Sequence, residues 1–196
     1  MFHKPKGCIT ARSDPRHKTV MDYFPIDMRD NFFPIGRLDK DTEGLLLVTD
    51  DGPLCYHLML PEHKVKKSYF FWAKGEMSDE KKLALEEGAA IFPGRSDVTK
   101  PARLELLEKK TLIDIKHLIS EDEEKTARRR PDLPVFSGIL TITEGKKHQV
   151  KRMLKFAGCR IVYLKRLSIG AISLDENLVA GEYRELSADE ISLLKA

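Results

Sequence analysis

Apolar positions along the chain fall into short runs of two distinct periods. The densest run, Leu45-Leu46-Leu47-Val48, is continuous, the pattern of a strand buried on both faces. Phe32-Phe33-Pro34-Ile35 leads towards it as a strand, and the aromatic-rich stretch Lys67–Ala73 predicts another. Val20–Phe24 reads as a short helix that Pro25 ends, and Leu54–Leu60 as one ended by Pro61. Ser78 opens a helix running to about Glu87, with Gly88 as its stop. Alternating Arg103–Leu107 and Thr111–Leu118, on either side of Glu108-Lys109-Lys110, predict a hairpin, and Val135–Thr143 and Arg160–Ser173 predict further strand. From Lys147 to Ala157 the residues Val150, Met153, Leu154 and Ala157 recur at helical spacing, and Lys147, Lys151 and Lys155 form a parallel basic row. A closing helix, Ser187–Lys195, carries Ser187 and Glu190 as a capping box. Strands and helices mix without regular βαβ alternation, so the predicted class is α+β.

One stretch lacks any apolar period. Glu121–Glu124 and Arg128-Arg129-Arg130-Pro131 are so strongly charged that a solvated, mobile loop is expected. With 196 residues the chain is long enough for one sizeable core or two lobes that share one. Its apolar runs fall far short of the ~20 residues of a membrane span, and the N-terminus lacks an apolar signal stretch. Three widely spaced cysteines (Cys8, Cys55, Cys159) give neither a disulfide framework nor a zinc-ligand pair, so a reduced cytoplasm is expected. The net charge of +3 is small, but its distribution is uneven. From Glu144 to Arg166 eight basic residues face Glu144 alone, a local +7 that leaves the remainder at −4. Such asymmetry favours a polyanion on one face, set against a solvated helix face.

The turn ahead of the apolar run carries the densest chemistry. Gly36-Arg37-Leu38-Asp39-Lys40-Asp41-Thr42-Glu43-Gly44 holds a carboxylate, Asp39, at the lip of a core strand, a placement that suits a nucleophile. A calcium loop is one alternative, since Asp39–Gly44 mimics the first six positions of an EF-hand. It fails because the ninth position would be Leu47 and the twelfth, Asp50, is not the bidentate Glu. Paired carboxylates for glycoside hydrolysis are another, with Asp41 or Glu43 as the second, but tryptophan is nearly absent and no sugar groove is suggested. A turn aspartate that caps backbone amides is the default for a lone Asp.

Gly36-Arg37-Leu38-Asp39 followed by Thr42-Glu43-Gly44-Leu45-Leu46-Leu47 resembles the active-site motif of the ribosomal RNA pseudouridine synthases. Three more segments match that family in order: Lys4-Pro5-Lys6-Gly7 its opening strand-turn, Lys67-Ser68-Tyr69 its tyrosine motif, and Glu144–Met153 its basic helix. Together they cover essentially the whole chain. His148-Gln149-Val150-Lys151-Arg152-Met153, with Lys100-Pro101-Ala102 upstream, looks most like the branch that modifies small-subunit (16S) rRNA.

The resemblance implies a mixed, mainly antiparallel sheet in two lobes around a central RNA-binding cleft, the 196 residues forming one catalytic domain. It implies isomerisation of uridine to pseudouridine, with no metal and no organic cofactor. Asp39, Tyr69 and Lys151 are implied as catalytic: Asp39 as the reacting carboxylate, Lys151 as the cation that keeps it ionised, and Tyr69 as the ring against the target uracil. Leu164 is implied as an apolar wall for the base. Arg37, Lys147, Gln149, Arg152, Lys155, Lys165 and Arg166 are implied as substrate contacts, through phosphate for the basic ones. The expected partner is rRNA of the small subunit or an assembly intermediate, bound by a cytoplasmic monomer without membrane attachment. The same activity on 23S rRNA, and a non-catalytic RNA-binding or ribosome-assembly module, are the alternatives. Many relatives carry an N-terminal RNA-binding domain of the S4 type. Only six residues precede Gly7, so that domain is expected to be lacking, with weaker binding to isolated RNA as the consequence.

Overall fold

The computed structural model describes residues 1–92, 94 and 97–195. Eight strands and six helices follow in chain order: β1 (Phe2–Lys4), α1 (Ile26–Asn31), β2 (Phe33–Ile35), β3 (Glu43–Thr49), α2 (Gly52–Met59), β4 (Lys67–Lys74) and α3 (Asp79–Glu87). Then come β5 (Arg103–Thr111), α4 (Glu121–Arg129), β6 (Pro134–Ile142), α5 (Gln149–Phe156), β7 (Arg160–Ile169), β8 (Ile172–Ser173) and α6 (Ala188–Lys195). The chain divides into two compact units: Met1–Lys67 with Lys165–Ala196, and Ser68–Leu164. The expected α+β class holds.

In the first unit everything is built around β3. β1 pairs with it antiparallel, Phe2 opposite Leu46 and Lys4 opposite Gly44, and β2 does so further along, Ile35 opposite Leu47. β7 pairs with it in parallel, Glu43 opposite Lys165 and Gly44 opposite Arg166. Because side chains alternate along a strand, Leu45 and Leu47 enter one core cluster with Met1, Ile35, Leu58, Ile169, Ile172 and Leu194. Leu46 enters a second cluster, with Phe2, Cys8, Val20, Met21 and Phe24. The uninterrupted apolar run therefore has a physical cause: both faces of β3 are covered. At the C-terminal end the expected capping box is present, Ser187 N–H donating to Glu190 at 2.8 Å and Glu190 N–H to Ser187 Oγ at 3.2 Å.

The second unit has the strand order β7-β4-β6-β5. Its core cluster joins Trp72, Leu112, Ile115, Ala127, Val135 and Tyr163. Two expectations fail here. The hairpin across Glu108-Lys109-Lys110 does not form; β5 runs unbroken from Arg103 to Thr111 along β6, with a register shift between Leu106 and Lys109. That tripeptide lacks the Gly or Asn that a tight turn needs, and a bulge absorbs it instead. The chain turns later, where Asp114 accepts from Thr111 N–H (2.9 Å) and Thr111 Oγ1 (2.6 Å).

The charged stretch after Ser120 is likewise a helix, α4, and not a loop. Ser120 caps it, four acids occupy its first turn, and Arg128 and Arg129 its last, each sign at the end the helix dipole favours. Ala127 is buried in the core cluster, and Glu123 accepts from Lys74 at 2.5 Å and pairs with Arg160 at 3.3 Å. Acids first and arginines last, rather than an apolar stripe, write this helix.

Gly44 sets the closest approach in the first unit. Its φ is +109°, and a Cβ there would lie 2.6 Å from the Arg166 backbone nitrogen and nearer still to its carbonyl oxygen. Gly44→Ala should therefore cost roughly 3 kcal/mol or more of stability. Gly145→Ala, where a Cβ meets nothing within 4 Å, should be near neutral. Urea unfolding of the two variants checks the contrast.

Candidate active site

The Asp39 turn leaves β2 at Gly36 (φ +70°) and re-enters the sheet at Glu43. Leu38 is buried and anchors it; the Thr10 hydroxyl donates to Leu38 O at 2.8 Å and accepts from Leu38 N–H at 3.0 Å. Thr42 N–H donates to Asp39 O at 3.1 Å, and Gly7 N–H to Lys40 O at 2.8 Å. Beneath lies Lys4, fully buried, whose ammonium donates to the carbonyls of Thr42 (2.9 Å), Pro5 (3.0 Å) and Asp39 (3.1 Å). Three carbonyls replace the hydration that a buried cation would otherwise lack. Burial pushes Lys4 below the ordinary lysine range, while Cys8, Asp41 and Asp39 act against that shift. Asp39 itself is half-buried, and Arg37 is exposed. Sequence reading missed Lys4; the signal was a lysine between Phe2 and Cys8, both core residues, in a strand opposite Gly44.

On β7, Lys165 is half-buried, but Arg166 is buried and its Nε donates to Leu45 O at 2.7 Å. Arg166, expected to contact phosphate, thus sets its Nε inside the first unit, on the backbone of β3. Lys67 is a third buried cation there, donating to Val65 O at 3.1 Å and Leu58 O at 3.5 Å. Burial, with Arg166 adding to it, pushes Lys67 down to about 8.

The second unit holds the remaining candidates. Tyr69 on β4 and Leu164 on β7 are buried. In α5, Val150, Met153 and Leu154 face the core, Lys151 and Arg152 are half-buried, and Lys155 is exposed. The helix begins two residues later than expected, because His148 is left-handed (φ 54°), so Lys147 precedes it and the row of three lysines on one helix is reduced to Lys151 and Lys155. Gln149, expected to touch substrate, is buried. Its Oε1 accepts from Lys146 N–H at 2.9 Å and its Nε2 donates to Glu144 at 2.8 Å; the same Glu144 oxygen accepts from Lys100 N–H at 2.9 Å. It is thus a positioning residue that fixes the start of α5. Arg152 stacks over the Phe92 ring at 4.7 Å. Asp39, Arg37, Lys165 and Arg166 are thus gathered on the first unit, and Tyr69, Lys147, Gln149, Lys151, Arg152, Lys155 and Leu164 on the second.

Among the described residues no group of three or more His, Cys, Asp or Glu is placed to hold a metal ion, and no helix is long and apolar enough to cross a membrane. The three cysteines are free thiols.

The carboxylate turn on a two-sided core strand, the tyrosine strand and the basic helix are the segments in which the chain resembles a class of RNA-modifying isomerase. The family model for RNA pseudouridylate synthases matches residues 1–156, and the chain belongs to that family: it converts uridine to pseudouridine in RNA. An uncharacterized RNA pseudouridine synthase of Bacillus subtilis is 45% identical over 99% of this chain and 72% of its own length. Ribosomal small subunit pseudouridine synthase A of Salmonella typhimurium is 35% identical over 98% of this chain and 71% of its own. A crystal structure of a pseudouridylate synthase, 34% identical, superposes with a TM-score of 0.80 over 98% of this chain and 71% of that one.

Removing the Lys4 ammonium takes a charged donor from three carbonyls, of which Asp39 O keeps only the Thr42 N–H, so Lys4→Met should lower stability by about 2–4 kcal/mol, read by urea unfolding. Lys67 gives a pH test. Its folded value of about 8 lies below the 10.5 of an unperturbed lysine. Below pH 8 both states hold the proton and Lys67 contributes no slope. Between these values only the unfolded chain keeps it, so stability rises with pH, by up to about 3 kcal/mol. In Lys67→Met that rise should vanish, measured as the difference between the two unfolding curves across this window.

Proposed function

We propose that the chain isomerises a specific uridine of 16S small-subunit rRNA, with Asp39 as the reacting carboxylate. The observation that carries the target is the resemblance, over 98% of the chain, to enzymes named for the ribosomal small subunit. In the reaction the bond from uracil N1 to the ribose C1′ breaks, the base turns, and C5 bonds to the same carbon. C5 loses its proton and N1 gains one, so atoms and electrons balance within the nucleotide and no co-reactant is consumed.

The uridine leaves its stack to reach Asp39, at a cost of a few kcal/mol. Lys151 serves as the counter-ion that keeps the carboxylate charged in a water-poor site, Tyr69 packs on the uracil, and Leu164 walls it. Arg37, Lys147, Arg152, Lys155 and Lys165 contact phosphates and offset the unstacking through salt-sensitive, sequence-independent binding. Support comes from the anchoring of the Asp39 turn by Lys4, Thr10 and Leu38, which holds a carboxylate on a rigid support. The 196 residues act as one catalytic domain, as a cytoplasmic monomer.

Asp39→Asn should lower pseudouridine formation by more than about a thousandfold with RNA affinity near wild type. Lys151→Met should lose far more activity than Lys155→Met. Wild-type activity in Asp39→Asn would remove the catalytic assignment, and matched losses at the two lysines would make Lys151 a phosphate contact. Mapping pseudouridine in rRNA from cells with and without the gene tests the target; an unchanged 16S pattern overturns it.

A further inference from the structure

The first unit presents a second surface beside the Asp39 turn. α2 buries Leu58 and packs Leu54 and Cys55 against the core, which leaves Tyr56 on the outer side, with half-buried His57 on one flank and Met59 on the other. Tyr56 is 68% exposed, and Met59 is 41% exposed. Met59 closes on the head of the catalytic turn: its Sδ lies 2.9 Å from where a Cβ on Gly36 would stand. After α2 the chain makes one short turn, Pro61–His63, ended by Lys64 in the left-handed conformation. That turn brings the His63 ring against the His57 ring, centroids 4.3 Å apart and planes tilted by 39°, with His63 Nδ1 2.8 Å from His57 O. Lys64, Lys66 and Arg37 are exposed, against the single exposed acid Glu62 in that turn.

Flat rings interleaved with cations are the means by which proteins hold unpaired bases, since every base offers a π-face and every linkage a phosphate. A core role does not account for Tyr56 and His63, which are exposed and lie outside the core cluster. We propose that Tyr56 and the His57–His63 pair form a stacking platform for an unpaired nucleotide flanking the target uridine, with Lys64 and Arg37 on its phosphates. The Met59–Gly36 contact sets the helix that carries Tyr56 and His57 against the start of the turn that carries Asp39. The inference rests on Asp39 being the reacting carboxylate, which is what places the flanking nucleotide here. It supplies a contact by which RNA single-strandedness near the target is sensed.

The test is fluorescence anisotropy of the full chain with a labelled oligouridylate of about twelve nucleotides. Tyr56→Ala/His63→Ala should weaken binding at least about tenfold, while Tyr56→Phe, which keeps the ring, stays near wild type. Lys64→Met should reduce the slope of log affinity against log salt by about one, which the ring variants should not do. Ile26→Ala, an exposed apolar residue elsewhere on the unit, should change nothing. Wild-type affinity in the folded double variant, or no binding by the wild type, overturns the proposal. Unchanged RNA affinity with loss of a wild-type self-association in sedimentation would give the surface to a second copy and also overturn it. The assay has no catalytic step, so an unchanged 16S pseudouridine map would defeat the target reading and leave this result standing.

Discussion

The first unit depends on a fully buried cation. Lys4 stands where a core residue would be expected, and its ammonium gathers the carbonyls of Pro5, Asp39 and Thr42. A hydrophobic residue of equal length would fill the space but take the ammonium away from all three carbonyls, leaving Asp39 O with the Thr42 N–H alone. The lysine therefore does what packing cannot: it ties the N-terminal turn, the Asp39 turn and the head of β3 to one point. Gly44, Arg166 and Thr10 extend that fixation on the other sides of the same loop. Preorganisation of this kind is the protein's share of a reaction in which the substrate supplies all the bonds.

Much of this was legible in the sequence. β3 announces itself as an apolar run because it is covered twice, and Ser78, Ser187 and Gly88 mark helix ends through local hydrogen bonding and backbone freedom. The Asp39 turn, the tyrosine strand and the basic helix were likewise identifiable, because short motifs carry them. What failed to show was whatever depends on distant partners. α4 lacks an apolar period because its inward face is made of Ala127 and of Glu123 reaching Lys74 and Arg160, which lie far away in the chain. The bulge in β5 depends on its partner strand, and pattern within β5 alone suggested a turn instead.

Charge misled in the same way. Counting basic residues from Glu144 to Arg166 marks a polyanion-binding face, but the count does not separate side chains that meet solvent from those that meet backbone. Arg166 sets its Nε on Leu45 O, Lys146 donates to Asp97 and Val98, and Arg152 lies over Phe92. Lys155 and Lys147 remain exposed. The electrostatic face is thus smaller than the sequence count, and part of the positive charge holds the scaffold together.

The Glu144–Gln149 pair has a consequence for how this chain can vary. One carboxylate oxygen serves both the Gln149 amide and the Lys100 backbone, while the other end of that amide serves Lys146. Neither residue can be exchanged alone without leaving a buried donor or acceptor unmatched, so their effects are coupled rather than additive. In a randomised library these two positions should survive only as compatible combinations, while Lys155, nearly two turns further along the helix, drifts independently. The start of the basic helix is in that sense inherited as a pair.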